Sequence, residues 1–79
     1  MVELVWLFGP ELEHGVQVGG PQWTRMYPEV ALQVESAFSS CNTRLYCQVG
    51  DYLYDFCSME QTNMKFGTKR PIRRELHYH

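Results

Sequence analysis

The side chains best suited to bind a ligand lie in one stretch, residues 52–74. An aromatic ring can stack on a flat ligand, an amide can donate and accept hydrogen bonds, and a guanidinium can hold an anion. If this stretch forms strands, alternate residues point to the same side of a sheet. The polar residues expected on that side are Tyr52, Tyr54, Gln61, Asn63, Arg70 and Arg74. The pattern predicts either a site for a flat anionic ligand, or polar groups that ring a small core and satisfy one another.

The same stretch has the pattern of a three-stranded antiparallel meander. The predicted strands are residues 51–56, 59–65 and 70–76. Cys57 and Ser58 break the first pair of strands, and Gly67 supplies the positive backbone angle that a tight reversal requires. The predicted cross-strand pairs are Phe56–Met59, Tyr54–Gln61, Tyr52–Asn63, Lys65–Arg70, Asn63–Ile72 and Gln61–Arg74.

A helix is predicted to begin at Pro28, because proline suits the first helical position. Its apolar residues recur every three or four positions and form one stripe: Val30, Val34, Ala37 and Phe38. The stripe must be buried, and Phe56, Met59 and Leu76 form the apolar end of the predicted sheet face. We therefore expect the helix to cover that end and to leave the tyrosine and arginine end open.

The remaining elements complete an α+β domain. Residues 2–8 form a nearly continuous apolar run typical of a buried strand, and residues 22–27 and 44–49 have the alternation of shorter strands. Residues 9–21 lack periodicity and are predicted to be a loop. The fold expected is a curved antiparallel sheet of about six strands packed round one α-helix, in a single domain spanning residues 1–79 with its core in residues 5–76.

Four further residues have expected structural roles. Trp6 and Trp23 are predicted to anchor the core, since each buries a large ring whose indole N–H needs a partner. Glu35 flanks the helix stripe, which favours a hydrogen bond or ion pair where the helix meets the sheet. Arg73 is expected on the outer face of the sheet, in contact with water.

Charge argues against a general nucleic-acid binder. The net charge is −2, although five of the seven basic residues lie between positions 65 and 74. Nucleic-acid binders are usually basic throughout, so binding of a single strand by the basic hairpin is a minor alternative. The chain also lacks a recognisable catalytic triad, phosphate loop or metal set, so we expect a non-catalytic domain.

Cysteine and hydropathy indicate the cellular setting. Cys41, Cys47 and Cys57 lack a CxxC pair and match no usual zinc pattern with His77 or His79. They are expected to be reduced thiols in a reducing compartment, without a metal or cofactor. No apolar run could span a bilayer and no signal peptide opens the chain, which favours part of a larger intracellular protein of the cytoplasm or nucleus.

These residues resemble the WWE domain family. Trp6, Trp23 and Glu35 stand where that family has the tryptophans of its first two strands and the glutamate of its helix. The later residues resemble the second half of its signature, Tyr52-x-x-Asp55-Phe56-x-x-Met59-x-Gln61-x-Asn63 and then Gly67-x-x-Arg70-x-Ile72-x-Arg74. The resemblance implies a half-barrel sheet round one helix, within an ADP-ribosyltransferase or a ubiquitin ligase. It also implies binding of iso-ADP-ribose within poly(ADP-ribose), or of terminal ADP-ribose, on modified proteins.

By this resemblance, Tyr52, Gln61 and Arg70 are the expected ligand contacts. The sequence departs from the ligand-binding members after the second tryptophan, where an aromatic residue should closely follow but Thr24 and Arg25 stand instead. Either Tyr27 turns in to replace that ring, or the wall that stacks the base is incomplete. Arg25 could add a phosphate contact. The alternative function is a protein-interaction scaffold with a vestigial pocket.

Overall fold

The protein is described by a computed structural model that covers residues 1–14, 16–18, 22–40 and 45–79. Predictions for Pro21, Cys41 and the start of a strand at residue 44 lie outside these residues. The elements, in chain order, are β1 (Val2–Phe8), β2 (Leu12–Glu13), β3 (Val16–Gln17), β4 (Thr24–Arg25), α1 (Pro28–Phe38), β5 (Tyr46–Val49), β6 (Tyr52–Asp55), β7 (Glu60–Asn63) and β8 (Lys69–Tyr78).

The strands form one open antiparallel sheet that curves round α1. Its main order is β3-β2-β8-β7-β6-β5, and β1 pairs with both β8 and β4. β8 is the longest strand, at ten residues, and joins the meander to β1. The predicted α+β half-barrel is therefore confirmed. Two of the eight strands belong to a small hairpin, β2–β3, within the segment that we predicted to be a loop.

The helix begins at the predicted residue, Pro28, and ends at Phe38, the last residue of the predicted apolar stripe. Part of that stripe is buried. Pro28 occupies the start of α1, and Val34 and Ala37 are buried. Phe38 keeps part of its surface exposed, but its ring packs edge-on at 5.2 Å from Trp6 and 5.4 Å from Phe56. The buried core consists of Trp6, Met26, Val34, Tyr54 and Ile72, with Phe56 and Met59 packed against it.

The first meander hairpin has the predicted register, with Tyr54 opposite Gln61 and Tyr52 opposite Asn63. Phe56 and Met59 do not extend its ladder, because the Asp55 carboxylate accepts hydrogen bonds from the N–H groups of Cys57 and Ser58 and closes a turn there. Side-chain acceptors of this kind compete with ladder hydrogen bonds.

The predicted register of the second hairpin was wrong by four residues. Gln61 lies opposite Arg70, not Arg74. The reason is Asn63, whose Oδ1 accepts from the backbone N–H groups of Lys65 and Phe66 and ends the strand early. Gly67 has the predicted positive φ of 76° in the resulting turn. Because a four-residue shift is even, the side chains keep their predicted face.

The Glu35 carboxylate joins α1 to both β1 and β8. Its Oε1 accepts from Trp6 Nε1 at 2.8 Å and from Arg74 Nε at 2.9 Å, and its Oε2 accepts from Arg74 Nη2 at 3.0 Å. The Arg74 hydrogen bonds, and then that of Trp6, hold the pKa of Glu35 below its ordinary value despite partial burial. The predicted structural role of Glu35 is confirmed.

Two predictions about the covered end were wrong. Arg74 lies at the junction with α1 and not at the open end, because Glu35 binds it there. Leu76 does not join the core and leaves 49% of its surface exposed. It lies opposite Leu4 near one end of the long β1–β8 ladder, away from the buried cluster.

The two tryptophans also differ. Trp6 is fully buried, as predicted, whereas Trp23 is partly exposed and lies outside the core cluster. Arg73 is exposed on the outer face, as predicted, and its guanidinium lies 4.1 Å from the centre of the Trp23 ring. Gly9 makes this packing possible, since a Cβ there would come within 2.9 Å of Pro71 and 3.1 Å of Trp23.

Replacement of Glu35 tests the junction. Glu35→Leu removes the acceptor of a buried indole N–H and the partner of Arg74, so unfolding free energy should fall by about 2–4 kcal/mol. Glu35→Gln keeps an oxygen for Trp6 and should cost about 1 kcal/mol. Urea unfolding followed by tryptophan fluorescence measures both. Glu29→Leu, on an exposed part of the same helix, is the control and should cost less than about 1 kcal/mol. Equal losses in the two leucine variants would contradict a specific role for Glu35.

The junction should also weaken in acid. Because folding lowers the pKa of Glu35 below 4.5, its stabilising effect is complete above that pH and is lost as the pH falls through the folded pKa. The stability difference between the native chain and Glu35→Gln should therefore shrink as the pH is lowered. A difference that stays constant in urea titrations from about pH 7 to about pH 3 would disagree with this expectation.

Candidate ligand-binding site

A row of polar side chains crosses three neighbouring strands on the inner face of the sheet. Tyr54 on β6 lies opposite Gln61 on β7, and Gln61 lies opposite Arg70 on β8. Tyr52 is diagonal to Gln61, since it lies opposite Asn63 on the same face. Side chains directly opposite each other in a sheet have Cβ atoms about 5 Å apart. The structure therefore brings Tyr52, Gln61 and Arg70 together on one side of the sheet.

Gln61 is held in a fixed orientation by the core. Only 6% of its surface is exposed, and its Nε2 donates a hydrogen bond to the Tyr54 hydroxyl at 3.1 Å. No described group donates to its Oε1, and no buried side-chain oxygen or nitrogen of the described residues lacks a partner. The Oε1 atom therefore retains some accessible surface, from which it can accept a further hydrogen bond.

The Tyr54 hydroxyl stays neutral in this position. Burial raises the pKa of Tyr54 above its ordinary value, and the hydrogen bond from Gln61 opposes only part of that effect. A neutral phenol can accept from the Gln61 amide without placing a negative charge beneath the site. Sequence reasoning placed Tyr54 on the inner face but missed its role as the group that orients Gln61.

Arg70 has free hydrogen-bonding capacity. Its Nη1 donates to the backbone oxygen of Gly9 at 3.2 Å, which ties the guanidinium to the residue that follows β1. Of the arginines that the structure describes, Arg25, Arg73 and Arg74 each have a carboxylate within 4.0 Å, and Arg70 does not. Its remaining N–H groups are therefore available to an anion.

A cavity of about 300 Å³ adjoins the Arg70 side chain. The residues that line it are Gly9, Pro10, Glu11, Val18, Gln22, Thr24 and Arg70. Thr24 lies opposite Phe8, which lies opposite Ile72, so its side chain belongs to the inner face. Sequence reasoning did not include Gln22 or Thr24 in the site, although the alternation of residues 22–27 places both on the side of the buried Met26.

Tyr52 lies on β6, two strands away from Arg70, and does not line the cavity beside Arg70. Tyr52 leaves 40% of its surface exposed, so one face of its ring is available for stacking. The backbone N–H of Met64 donates to the Asp51 oxygen at 2.8 Å and ties the β7–β8 turn to the β5–β6 turn. The exposed ring of Phe66 lies in the β7–β8 turn. Asn63 is not available to a ligand in the same way, because its Oδ1 holds the turn.

The structure does not bring Arg25 and Tyr27 into this site. Arg25 lies opposite Leu7 on the outer face, where its guanidinium donates to Glu3 at 3.0 Å. Tyr27 precedes the first residue of α1 and is 79% exposed. Both instead line a separate cavity of about 530 Å³ between β1 and α1. Thr24 is therefore the residue of β4 whose side chain lies on the same face as Arg70.

The described part of the chain contains no group of three or more His, Cys, Asp or Glu side chains placed to hold a metal ion. Cys41 lies outside it. Within the described ranges there is also no helix of the length and hydropathy needed to cross a bilayer.

Comparison with known proteins decides the family. The profile of the WWE domain matches residues 5–74, which is most of the chain. The chain belongs to the WWE domain family. Neither the curated proteins nor the solved structures contain a significant match to it. WWE domains are binding modules, and the two residues of this WWE domain that meet at its helix junction, Trp6 and Glu35, are structural.

The buried phenol gives this WWE domain a spectroscopic test. Of its five tyrosines, four are exposed and Tyr54 is buried, and burial raises the pKa of the Tyr54 phenol above its ordinary value of 10.0. The stability that neutral Tyr54 contributes is complete below pH 10.0 and is lost as the pH rises through the folded pKa. Absorbance of the phenolate should show a late step that Tyr54→Phe removes, and the exposed Tyr46→Phe should retain it. Tyr54→Phe should also cost about 1 kcal/mol of stability. A late step that persists in Tyr54→Phe would contradict the assignment.

Proposed function

We propose that this WWE domain is a non-catalytic reader of ADP-ribose units on modified proteins. The ligand is iso-ADP-ribose within poly(ADP-ribose), or a terminal ADP-ribose group. Its expected contacts are Tyr52, Gln61 and Arg70, and residues 1–79 act as one domain with a core in residues 5–76. The parent protein is an intracellular ADP-ribosyltransferase or E3 ubiquitin ligase, which the domain delivers to modified targets.

The observation that supports this proposal is the pairing of Gln61 with an arginine that has no carboxylate partner. ADP-ribose combines a flat purine with a pyrophosphate, so its site needs an edge reader and an anion holder a few ångströms apart. Gln61 Oε1 can accept from the exocyclic amine of adenine, as an amide does when it reads that base. The free N–H groups of Arg70 can hold a phosphate through charge-assisted hydrogen bonds. Tyr52 offers the stacking face.

The cavity beside Arg70 contains one group that opposes an anion. Glu11 lines it, and this residue has no ion pair among the described side chains. A carboxylate at the rim favours the ribose hydroxyl groups, which can donate to it, over a second phosphate in the same place. We therefore place the pyrophosphate at Arg70 and the distal ribose toward the β2–β3 hairpin.

The alternative function, a protein-interaction scaffold, is favoured by one specific observation. Thr24 occupies the inner position on β4, and Tyr27 lies at the start of α1 and does not replace the missing ring. Base stacking contributes about 1–3 kcal/mol per ring in comparable sites, so its loss can reduce affinity strongly. Calorimetric titration of the chain with ADP-ribose and iso-ADP-ribose separates the two functions. No heat with either ligand at high concentration would favour the scaffold.

Substitution of Arg70 tests the anion contact. Arg70→Ala should weaken ADP-ribose binding by about 1.5–3 kcal/mol, because a charge-assisted hydrogen bond is lost. Arg73→Ala is the matched control, since it removes the same charge three residues later on β8. Arg73 lies on the outer face, against the Trp23 ring, so its loss should leave affinity nearly unchanged. Calorimetry measures affinity, and thermal unfolding confirms that both variants fold. In amide spectra of the native chain, Tyr52, Gln61 and Arg70 should shift together. Equal losses of affinity in the two variants would argue for general charge attraction only.

Restoration of the missing ring tests the stacking wall. Thr24→Tyr places a phenol on the inner face beside Arg70 and should strengthen ADP-ribose binding by about 1–3 kcal/mol. Arg25→Tyr adds the same ring one residue later on the outer face and should give no gain. Calorimetry with each ligand measures both. An equal gain from the two substitutions, or none from Thr24→Tyr in a chain that binds ADP-ribose, would contradict the proposed position of the base.

A further inference from the structure

The open edge of β1 has backbone groups without a partner. Met1 and His79 exchange two hydrogen bonds, and the Gly9 N–H donates to Pro71, so the odd-numbered residues of β1 direct their backbone groups toward β8. The even-numbered residues direct theirs the other way, as Trp6 shows by accepting from the Met26 N–H. Pairing on this side of β1 reaches only as far as Trp6, because the chain leaves the sheet at Tyr27 and begins α1.

Val2 and Leu4 therefore present their N–H and C=O groups at a free edge. No described residue pairs with them on this side. A strand that continued the line of β4 could form up to four backbone hydrogen bonds there. Unpaired strand edges of this kind are templates for the addition of an extended segment.

The cavity of about 530 Å³ lies directly beside this edge. Most of its lining is apolar: Leu4, Val5, Trp6, Met26, Tyr27, Pro28, Ala31 and Leu32. Leu32 leaves 72% of its surface exposed although it is a large apolar residue. The Glu35 carboxylate, which also lines the cavity, forms an ion pair with Arg74 and accepts a hydrogen bond from the Trp6 N–H. It therefore does not require a cationic ligand. The cavity is suited to apolar side chains.

We propose that the β1 edge and this cavity form a docking site for an extended segment of another protein, which adds a strand to β1. Side chains alternate in a strand, so those on the inner face would pack beside Leu4 and Trp6, and those between them would face Glu3 and Arg25 at the outer part of the same cavity. The segment would carry large apolar residues at alternate positions. Neither Gln61 nor Arg70 lines this cavity, and the docking site does not depend on ADP-ribose binding.

A second copy of the chain fits this site less well. The inner side chain of another β1 that would have to fill the cavity is Trp6, and it is fully buried in its own core. A segment with free side chains can satisfy the backbone edge and the cavity at the same time.

Selection from a displayed library of random linear peptides, each about twelve residues long, tests the proposal with the 79-residue chain. We expect enriched sequences with large apolar residues at alternate positions. Leu32→Glu places a charge at the cavity and should weaken the selected peptides by roughly tenfold or more. Gln33→Glu, an exposed neighbour outside the cavity, should change affinity by less than about twofold, and so should Arg70→Ala.

Hydrogen exchange supplies the backbone readout. In the free chain, the Leu4 amide should exchange faster than the Val5 amide, which faces β8, and a selected peptide should slow the Leu4 amide specifically. The proposal is overturned if no sequence is enriched, if the two glutamate variants bind equally well, or if Leu4 exchange does not respond to the peptide. It is also overturned if the chain dimerises in sedimentation runs and its own dimerisation protects Leu4, since a second copy is then the occupant.

Discussion

One carboxylate decides how the helix meets the sheet. Glu35 accepts from the indole of β1 and from two nitrogens of the Arg74 guanidinium on β8, and these strands pair along seven positions. A buried indole N–H without an acceptor is costly, so α1 cannot rotate or slide far without losing this bond. Arg70, four residues earlier on the same strand, has no carboxylate within 4.0 Å and donates to the backbone of Gly9. β8 therefore supplies one arginine to the fold contact and a different one to the candidate site.

Continuous patterns in the sequence predicted the elements well. The apolar run of β1 and the stripe of α1 gave the observed bounds, because each repeats over at least two turns or seven residues. The register of the second hairpin could not be predicted in this way, since it depends on Asn63 binding two N–H groups beyond its own strand. The face of each residue survived that error because the period of a strand is two. The β2–β3 hairpin has two residues per strand and shows no periodicity to detect.

We call Tyr52, Gln61 and Arg70 the floor of the candidate site, and the residues beside Arg70 on β4 and around Glu11 and Val18 its wall. The floor could be predicted from the sequence, but the wall could not. Tyr52, Gln61 and Arg70 share a face whichever even register is chosen, so alternation alone placed them together. Tyr27 depends on where α1 begins. Since Pro28 starts the helix, the residue before it must already have left the sheet, with φ −56° and ψ 144°, and its ring projects beside the helix. The position of Arg25 on the outer face follows from the same alternation that places Thr24 on the inner face.

The floor and the wall of the site differ in their cost to the fold. Gln61 is oriented by Tyr54, a core residue, and its strand is paired on both sides, so any change there disturbs packing as well as recognition. The wall beside Arg70 is built from the two-residue strand β4 and the loop around Glu11 and Val18, which contribute few buried groups. Segments with few buried contacts can change at little cost in stability. Under the proposed function, a substitution in the wall would therefore change affinity while the fold and the floor stay the same. Thr24 is the residue of β4 where such a change would act, because its side chain lies on the same face as Arg70 and lines the cavity beside it.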